Sequence, residues 1–283
     1  MAAAQRTGAA LVTGANKGIG FAIAAQLARA RPDLHVLLGS RDWERGEEAV
    51  AKLKADGVHN VRTLHVDLDD ESSLHTAAVE VNSEFGGLDV LVNNAAVALK
   101  GNTFTESDAR TTIDTNYHGT RHVCSRFMPL LRDNGRVVNV TARMASLSKL
   151  TVPTLKAAFA KPDLTLEELD ALMEKFVADV TQGRYKEEGW PAGPGYPTAP
   201  YWVSKIGTNA LTRVLARMEA NNPNRSGVLV NACCPGFCRT DLAGPKAPRS
   251  PEQGADVAVY LSLLPAEATF NGLLFGERKE LSF

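Results

Sequence analysis

The chain has 283 residues, a formal net charge of −1 and 44% hydrophobic residues. That length buries a substantial core, and the balanced charge lends no electrostatic support to a nucleic-acid or membrane-surface partner. No apolar run reaches the roughly eighteen residues needed to cross a bilayer, and residues 1–7 lack the apolar stretch of a signal peptide. Four cysteines, three of them between Cys233 and Cys238, have none of the spacing of a disulfide framework, so they read as reduced thiols of a cytoplasmic protein. Residues 9–12 are a short apolar run, the pattern of a buried strand. Gly14-x-x-x-Gly18-x-Gly20 follows, and residues 21–28 are apolar at helical spacing. Three glycines on a strand-to-helix turn are what a dinucleotide phosphate site requires. Gly14 permits the turn, Gly18 lets backbone N–H groups approach, and Gly20 lets helix and strand pack closely. The positive end of the helix dipole then faces the phosphates.

The same alternation continues. A second strand, 34–39, ends in Ser40-Arg41-Asp42 and leads to a polar helix, 44–55. A third, 61–66, ends at Asp67, and a helix spans 71–85. A fourth strand and its exit turn, 88–95, close on Asn94 and Ala95. A helix over 109–131 contains Asn116, and a fifth strand covers 135–140. A helix over 200–220, a sixth strand at 228–232, a helix over 251–264 and a short strand at 272–275 complete the chain. Continuous apolar strands alternating with helices predict an α/β fold, a doubly wound parallel sheet of Rossmann type, in a single domain (1–283) with ligands at the carboxyl ends of the strands.

One stretch breaks the rhythm. A helical insertion, 143–199, precedes Tyr201-x-x-x-Lys205. Within it, 165–180 has the pattern of an amphipathic helix capped by Thr165, with Glu167 and Glu168 in its first turn. Residues 189–200 then form a Gly/Pro-rich loop carrying Trp190 and Tyr196. The insertion either shields a cleft or an oligomer face, or is a plain surface addition.

Thr13-Gly14-x-x-x-Gly18-x-Gly20, Asn93-Asn94-Ala95, Asn116, Tyr201-x-x-x-Lys205 and Pro235-Gly236-x-x-x-Thr240 occur in this order over nearly the whole chain. Together they resemble the short-chain dehydrogenase/reductase family. Gly189-Trp190-Pro191, the 231–236 segment and the 239–246 segment, with the long insertion, are most similar to its monomeric animal-type NADPH carbonyl reductases. That resemblance implies reduction of ketones, aldehydes or quinones, with the insertion covering the face through which relatives form tetramers.

The residue chemistry agrees with it. Tyr201 and Lys205 are four apart on one helix and share a face. A phenol near its usual pKa of ~10 is a weak acid at neutral pH, and a nearby ammonium strengthens it by favouring the phenolate. Tyr201 would then protonate a carbonyl oxygen as hydride reaches its carbon. The resemblance implies that Lys205 also grips the nicotinamide ribose and that Asn116 holds a water in a proton relay. It further implies that Asn16, Ile19, Asn94, Ala95, Asp67, Leu68, Pro235, Gly236 and Thr240 line the cofactor. An acid after the second strand would select NAD, whereas here Arg41, together with Lys17 in the phosphate turn, favours NADPH. Asp42 opens the next helix.

One position departs from the family. A serine is expected three residues after Asn139 to hydrogen-bond the substrate carbonyl, and Ala142 stands there. Thr141 points to the other face of a regular strand, and Ser146 serves only if the loop folds back. Three readings stay open: a working reductase with a substitute donor or slower turnover, a cofactor-binding protein with little catalysis, and an impaired variant of an active enzyme. His118 and His122 share a helix face without a third metal ligand at suitable spacing, and no metal is expected.

Overall fold

The computed structural model describes residues 8–99, 101, 103–192 and 198–283. Residues 1–7, and Tyr196 of the Gly/Pro-rich loop, lie outside the described residues. β1 (Gly8–Val12), α1 (Gly18–Ala30), β2 (Leu34–Ser40), α2 (Trp43–Ala55), β3 (Val61–His65), α3 (Glu71–Phe85) and β4 (Leu88–Asn93) follow the predicted alternation closely. After them come α4 (Glu106–Ile113), α5 (Gly119–Phe127), β5 (Leu131–Val140), α6 (Pro153–Ala160), α7 (Leu166–Thr181), α8 (Ala199–Ala220), β6 (Leu229–Cys234), α9 (Pro251–Ser262), β7 (Leu274–Gly276) and β8 (Lys279–Leu281). Among the described residues they form one eight-stranded sheet in the order β3-β2-β1-β4-β5-β6-β7-β8.

The sheet is parallel as far as β7, and β7 pairs antiparallel with β8. Side chains alternate across it. Ala9 and Leu11 of β1 join the core on the α3, α7 and α8 side, while Ala10 and Val12 join the core beneath α1, α2 and α9. With both faces covered, the central strands carry mostly apolar runs, which made them readable, although Asp89, Arg136, Asn139 and Asn231 interrupt β4, β5 and β6.

Three corrections to the sequence reading have physical causes. The helix expected over 109–131 starts earlier, because Thr105 and Asp108 form a capping box at Glu106. It is interrupted by a π-helical stretch, Asp114–His118, and ends in a tight turn, Met128–Leu130, where Pro129 lacks the N–H to continue it. β5 therefore begins at Leu131 and pairs from there with Leu88. The fully parallel sheet gains β8, whose hairpin turn uses Glu277 and Arg278 at φ 52° and 60°. Left-handed turn residues are usually Gly or Asn, so this pair gave no signal.

Within residues 143–199, α6 was not foreseen. α7 lies where expected, with Thr165 and Glu168 capping reciprocally. Trp190, expected in a surface loop, is buried between Phe159 and Phe176, and its indole N–H donates to Asp179 at 2.8 Å. Asp179 also accepts from Lys175 and Arg184. The buried side chains of these segments join the core on the α3 and α8 side of the sheet, so the Tyr–Lys helix is held from the outside by the insertion.

Candidate active site

A cavity of about 870 Å³ runs along the carboxyl ends of the strands. β1 leaves the sheet on one side of the β1/β4 boundary and β4 on the other, and a crevice opens at that switch point. Of the catalytic and cofactor positions singled out from the sequence, all lie on the cavity wall except Asn116; the candidate substitute Ser146 is also off it.

The floor is the turn between β1 and α1. Gly14 and Gly18 have φ of 61° and 59°, where side chains other than glycine's are strained. A Cβ on Gly20 would stand 2.5 Å from both the Asn94 side chain and the Gly14 carbonyl, so α1 closes tightly on the turn and on the residue after β4. Thr13 and Asn94 fasten this turn to the end of β4. The Thr13 hydroxyl accepts from the backbone of Asn94 and Ala95, and the Asn94 amide donates to the carbonyls of Thr13 and Gly14. α1 has no side-chain cap, whereas Asp42 and Asp70 cap α2 and α3. Its first backbone N–H groups are thus left to an anion at the cavity floor, and the residues fit a dinucleotide pyrophosphate there.

Arg41 stands on the wall at the end of β2, and Asp67 and Leu68 at the end of β3. Asp42 caps α2 by accepting from Arg45, the role expected of it. Lys17 is less available than the sequence implied, because its ammonium pairs with Asp241 at 2.6 Å across the cavity. Thr240 packs on Gly18, its methyl 3.3 Å from where a Cβ would be. The loop after β6, which includes Pro235 and Gly236, therefore folds down onto the phosphate turn.

Tyr201 and Lys205 occupy the first turns of α8. The Lys205 ammonium is buried, donates to the Val140 carbonyl at 2.9 Å, and lies 5.8 Å from the centre of the Tyr201 ring. Burial pushes its pKa down to about 8. The bond to Val140 ties α8 to the end of β5, one residue before Thr141 and two before Ala142, which is itself on the wall.

Asn116 is fully buried behind the wall. Its side chain accepts from the Val97 N–H at 2.8 Å and donates to the Val97 carbonyl at 2.9 Å and to the Ser204 hydroxyl at 3.1 Å. It thus clamps the chain leaving β4 to the helix carrying Tyr201 and Lys205. The π-helical stretch shifts the ladder at this point, and the Asn116 carbonyl accepts from Thr120 at 2.8 Å. Sequence reasoning missed Ser204 and Val97; only the position of Ser204 beside Lys205 could have drawn attention to it.

Neither candidate substitute for the missing serine offers an uncommitted donor on the cavity wall. Ser146 is off the wall and caps the turn Leu147–Lys149 by accepting from Ser148. The Thr141 hydroxyl donates to the Cys233 carbonyl at 3.4 Å. Also on the wall are Arg143 and Met144 at the start of the insertion, Phe237 in the loop after β6, and Glu277, which the sequence did not point to. All four cysteines are unbridged, and burial raises the Cys124 thiol to about 12 and the Cys233 thiol further. His118 faces Glu174 rather than sharing a ligand with His122. Ligand atoms of Asp114, His118 and Glu174 come within 4.8 Å of one another, but Arg110 already binds both carboxylate oxygens of Glu174.

Fold and cleft define a doubly wound α/β protein whose glycine-rich β1–α1 turn shares one cavity with a Tyr–Lys pair. The chain belongs to the short chain dehydrogenase family, whose model matches residues 8–176. It is 47% identical over 263 residues to carbonyl reductase [NADPH] 1 of Mus musculus, covering 92% of both chains. The human protein of the same name is 45% identical over 262 residues, again covering 92% of each. Among solved structures, salutaridine reductase from Papaver somniferum is similar with a TM-score of 0.86 and 30% identity, over 95% of this chain and 99% of that one.

Proposed function

We propose that this chain reduces ketones, aldehydes or quinones to alcohols with NADPH; its mouse and human relatives are named carbonyl reductase [NADPH] 1. The observation that carries the reading is the Tyr201–Lys205 pair, set in one cavity with an uncapped, glycine-lined phosphate turn. NADPH would be held by the 14–20 turn, by Asn94 and Ala95, and by Asp67 and Leu68 near its adenine. Pro235, Gly236 and Thr240 would lie along its nicotinamide half. Arg41 would take the 2′-phosphate, with Lys17 joining it by leaving an exposed pair with Asp241, a bond of small net worth. When bound, NADPH supplies the hydride.

Tyr201 gives its phenolic proton to the carbonyl oxygen as the carbonyl carbon is reduced. The Lys205 ammonium stabilises the resulting phenolate and holds the ribose, and the proton is restored from the side of Asn116. Residues 143–199 form an insertion within one domain; its cover over α8 supports a monomer, and the four unbridged cysteines suit a cytoplasmic protein. Ala142 favours a second reading, a relative that binds NADPH but turns over weakly. NADPH oxidation with a panel of quinones, aldehydes and aromatic ketones separates the two. Turnover in the panel supports the reductase, and NADPH binding with a silent panel supports the weakened relative.

A further inference from the structure

Among the described residues, two guanidinium groups on the cavity wall have no hydrogen bond, ion pair or ring contact through their side chains: Arg41 and Arg143. The other cations there are engaged. Lys17 pairs with Asp241, Arg249 with Glu277, and Arg239 and Lys205 with backbone carbonyls.

Arg41 and Arg143 are at opposite ends of the cavity. The Arg143 Nη2 atom lies 3.4 Å from where a Cβ of Gly276 would be, so this side chain reaches from the end of β5 across to the end of β7. Strands β2 and β7 are five places apart in the sheet, roughly 24 Å at the usual strand spacing. A dinucleotide with its phosphates on the β1–α1 turn and at Arg41 leaves Arg143, near the end of β7, uncommitted. Two large apolar side chains on the same wall, Met144 and Phe237, are 50% and 52% exposed.

A lone cation beside apolar side chains, one residue from Ala142, suits a ligand that is apolar in its body and anionic at one end. We propose that Arg143 makes this site select aromatic or apolar carbonyl compounds bearing an anionic group, which pairs with the guanidinium while the carbonyl lies at Tyr201. The proposal rests on the reductase reading of the site and names its substrate class.

The test uses 4-benzoylbenzoate and its methyl ester, which differ in charge at one end of the same ketone. Each is titrated calorimetrically into the full chain saturated with NADP⁺, and NADPH oxidation is followed separately. The carboxylate should bind about tenfold more tightly than the ester, the scale of one hydrogen-bonded charge pair. Arg143→Met should erase that ratio, Arg143→Lys should keep part of it, and added salt should shrink it in the unmodified chain. An ester bound as tightly as the carboxylate, or a ratio unmoved by Arg143→Met, overturns the proposal. Absence of turnover with the binding ratio intact overturns the reductase reading instead and leaves the role of Arg143 standing.

Discussion

Ala142→Ser is the substitution on which the catalytic account is most exposed. Ala142 stands on the cavity wall two residues beyond Val140, whose carbonyl holds the Lys205 ammonium. A serine there adds one hydroxyl in the neighbourhood of Tyr201 and displaces nothing that is hydrogen-bonded. Ser146 lies off the wall and the Thr141 hydroxyl donates to Cys233, so neither of these two hydroxyls performs the task. One donor to a developing oxyanion is worth about 10²–10³ in kcat, or roughly 3–4 kcal/mol of barrier. Ala142→Ser should therefore raise kcat for aromatic ketones by about 10², with KM changing far less, because the bond strengthens only as charge develops. Steady-state NADPH oxidation by the two proteins, side by side, measures it. An unchanged kcat refutes the reasoning, since it would mean that Tyr201 alone, or another group, already supplies the full stabilisation.

Two other substitutions probe parts of the same structure. Burial pushes Lys205 down to about 8 from an ordinary 10.5, so between those values the unfolded chain binds more protons and stability rises with pH. Lys205→Met is neutral throughout; its stability advantage over the unmodified chain should shrink by up to about 3 kcal/mol from pH 7.5 to 10.5 in urea titrations. A difference that stays flat with pH would refute this. By the same titration, reduction should slow as pH climbs through about 8, because the ammonium that strengthens Tyr201 is lost. Asp179→Ala leaves the buried Trp190 N–H without its acceptor and should cost about 2–3 kcal/mol. A thermal melt followed by tryptophan fluorescence reads that loss, and a change below about 0.5 kcal/mol, the scale of an ordinary surface substitution, would contradict the assigned role.

Legibility in the sequence followed the physics of each element. The β1–α1 turn was readable because only glycine tolerates the φ of Gly14 and Gly18 or the crowding at Gly20, so backbone geometry is written into residue type. α7 was readable from its cap and first-turn acids. The β7–β8 hairpin was not, because Glu277 and Arg278 adopt left-handed angles without the usual Asn-Gly sequence. Asn116 was singled out for a relay role, whereas the bonds its side chain makes are to backbone atoms of Val97 and the Ser204 hydroxyl, and tertiary hydrogen bonds of that kind leave no local pattern. Arg143 escaped for the same reason. Nothing in its own sequence neighbourhood distinguishes a guanidinium aimed into a cavity from one on an open surface.

Tyr201→Phe is the most direct test of the central claim that the phenolic hydroxyl is the proton donor. The substitution removes one oxygen at the start of α8 and leaves the phosphate turn, Arg41 and Lys205 in place. NADPH titration should give nearly the affinity of the unmodified chain, while carbonyl-dependent NADPH oxidation should fall by about 10² or more, the scale of general-acid catalysis. Full turnover by Tyr201→Phe would contradict the mechanism outright.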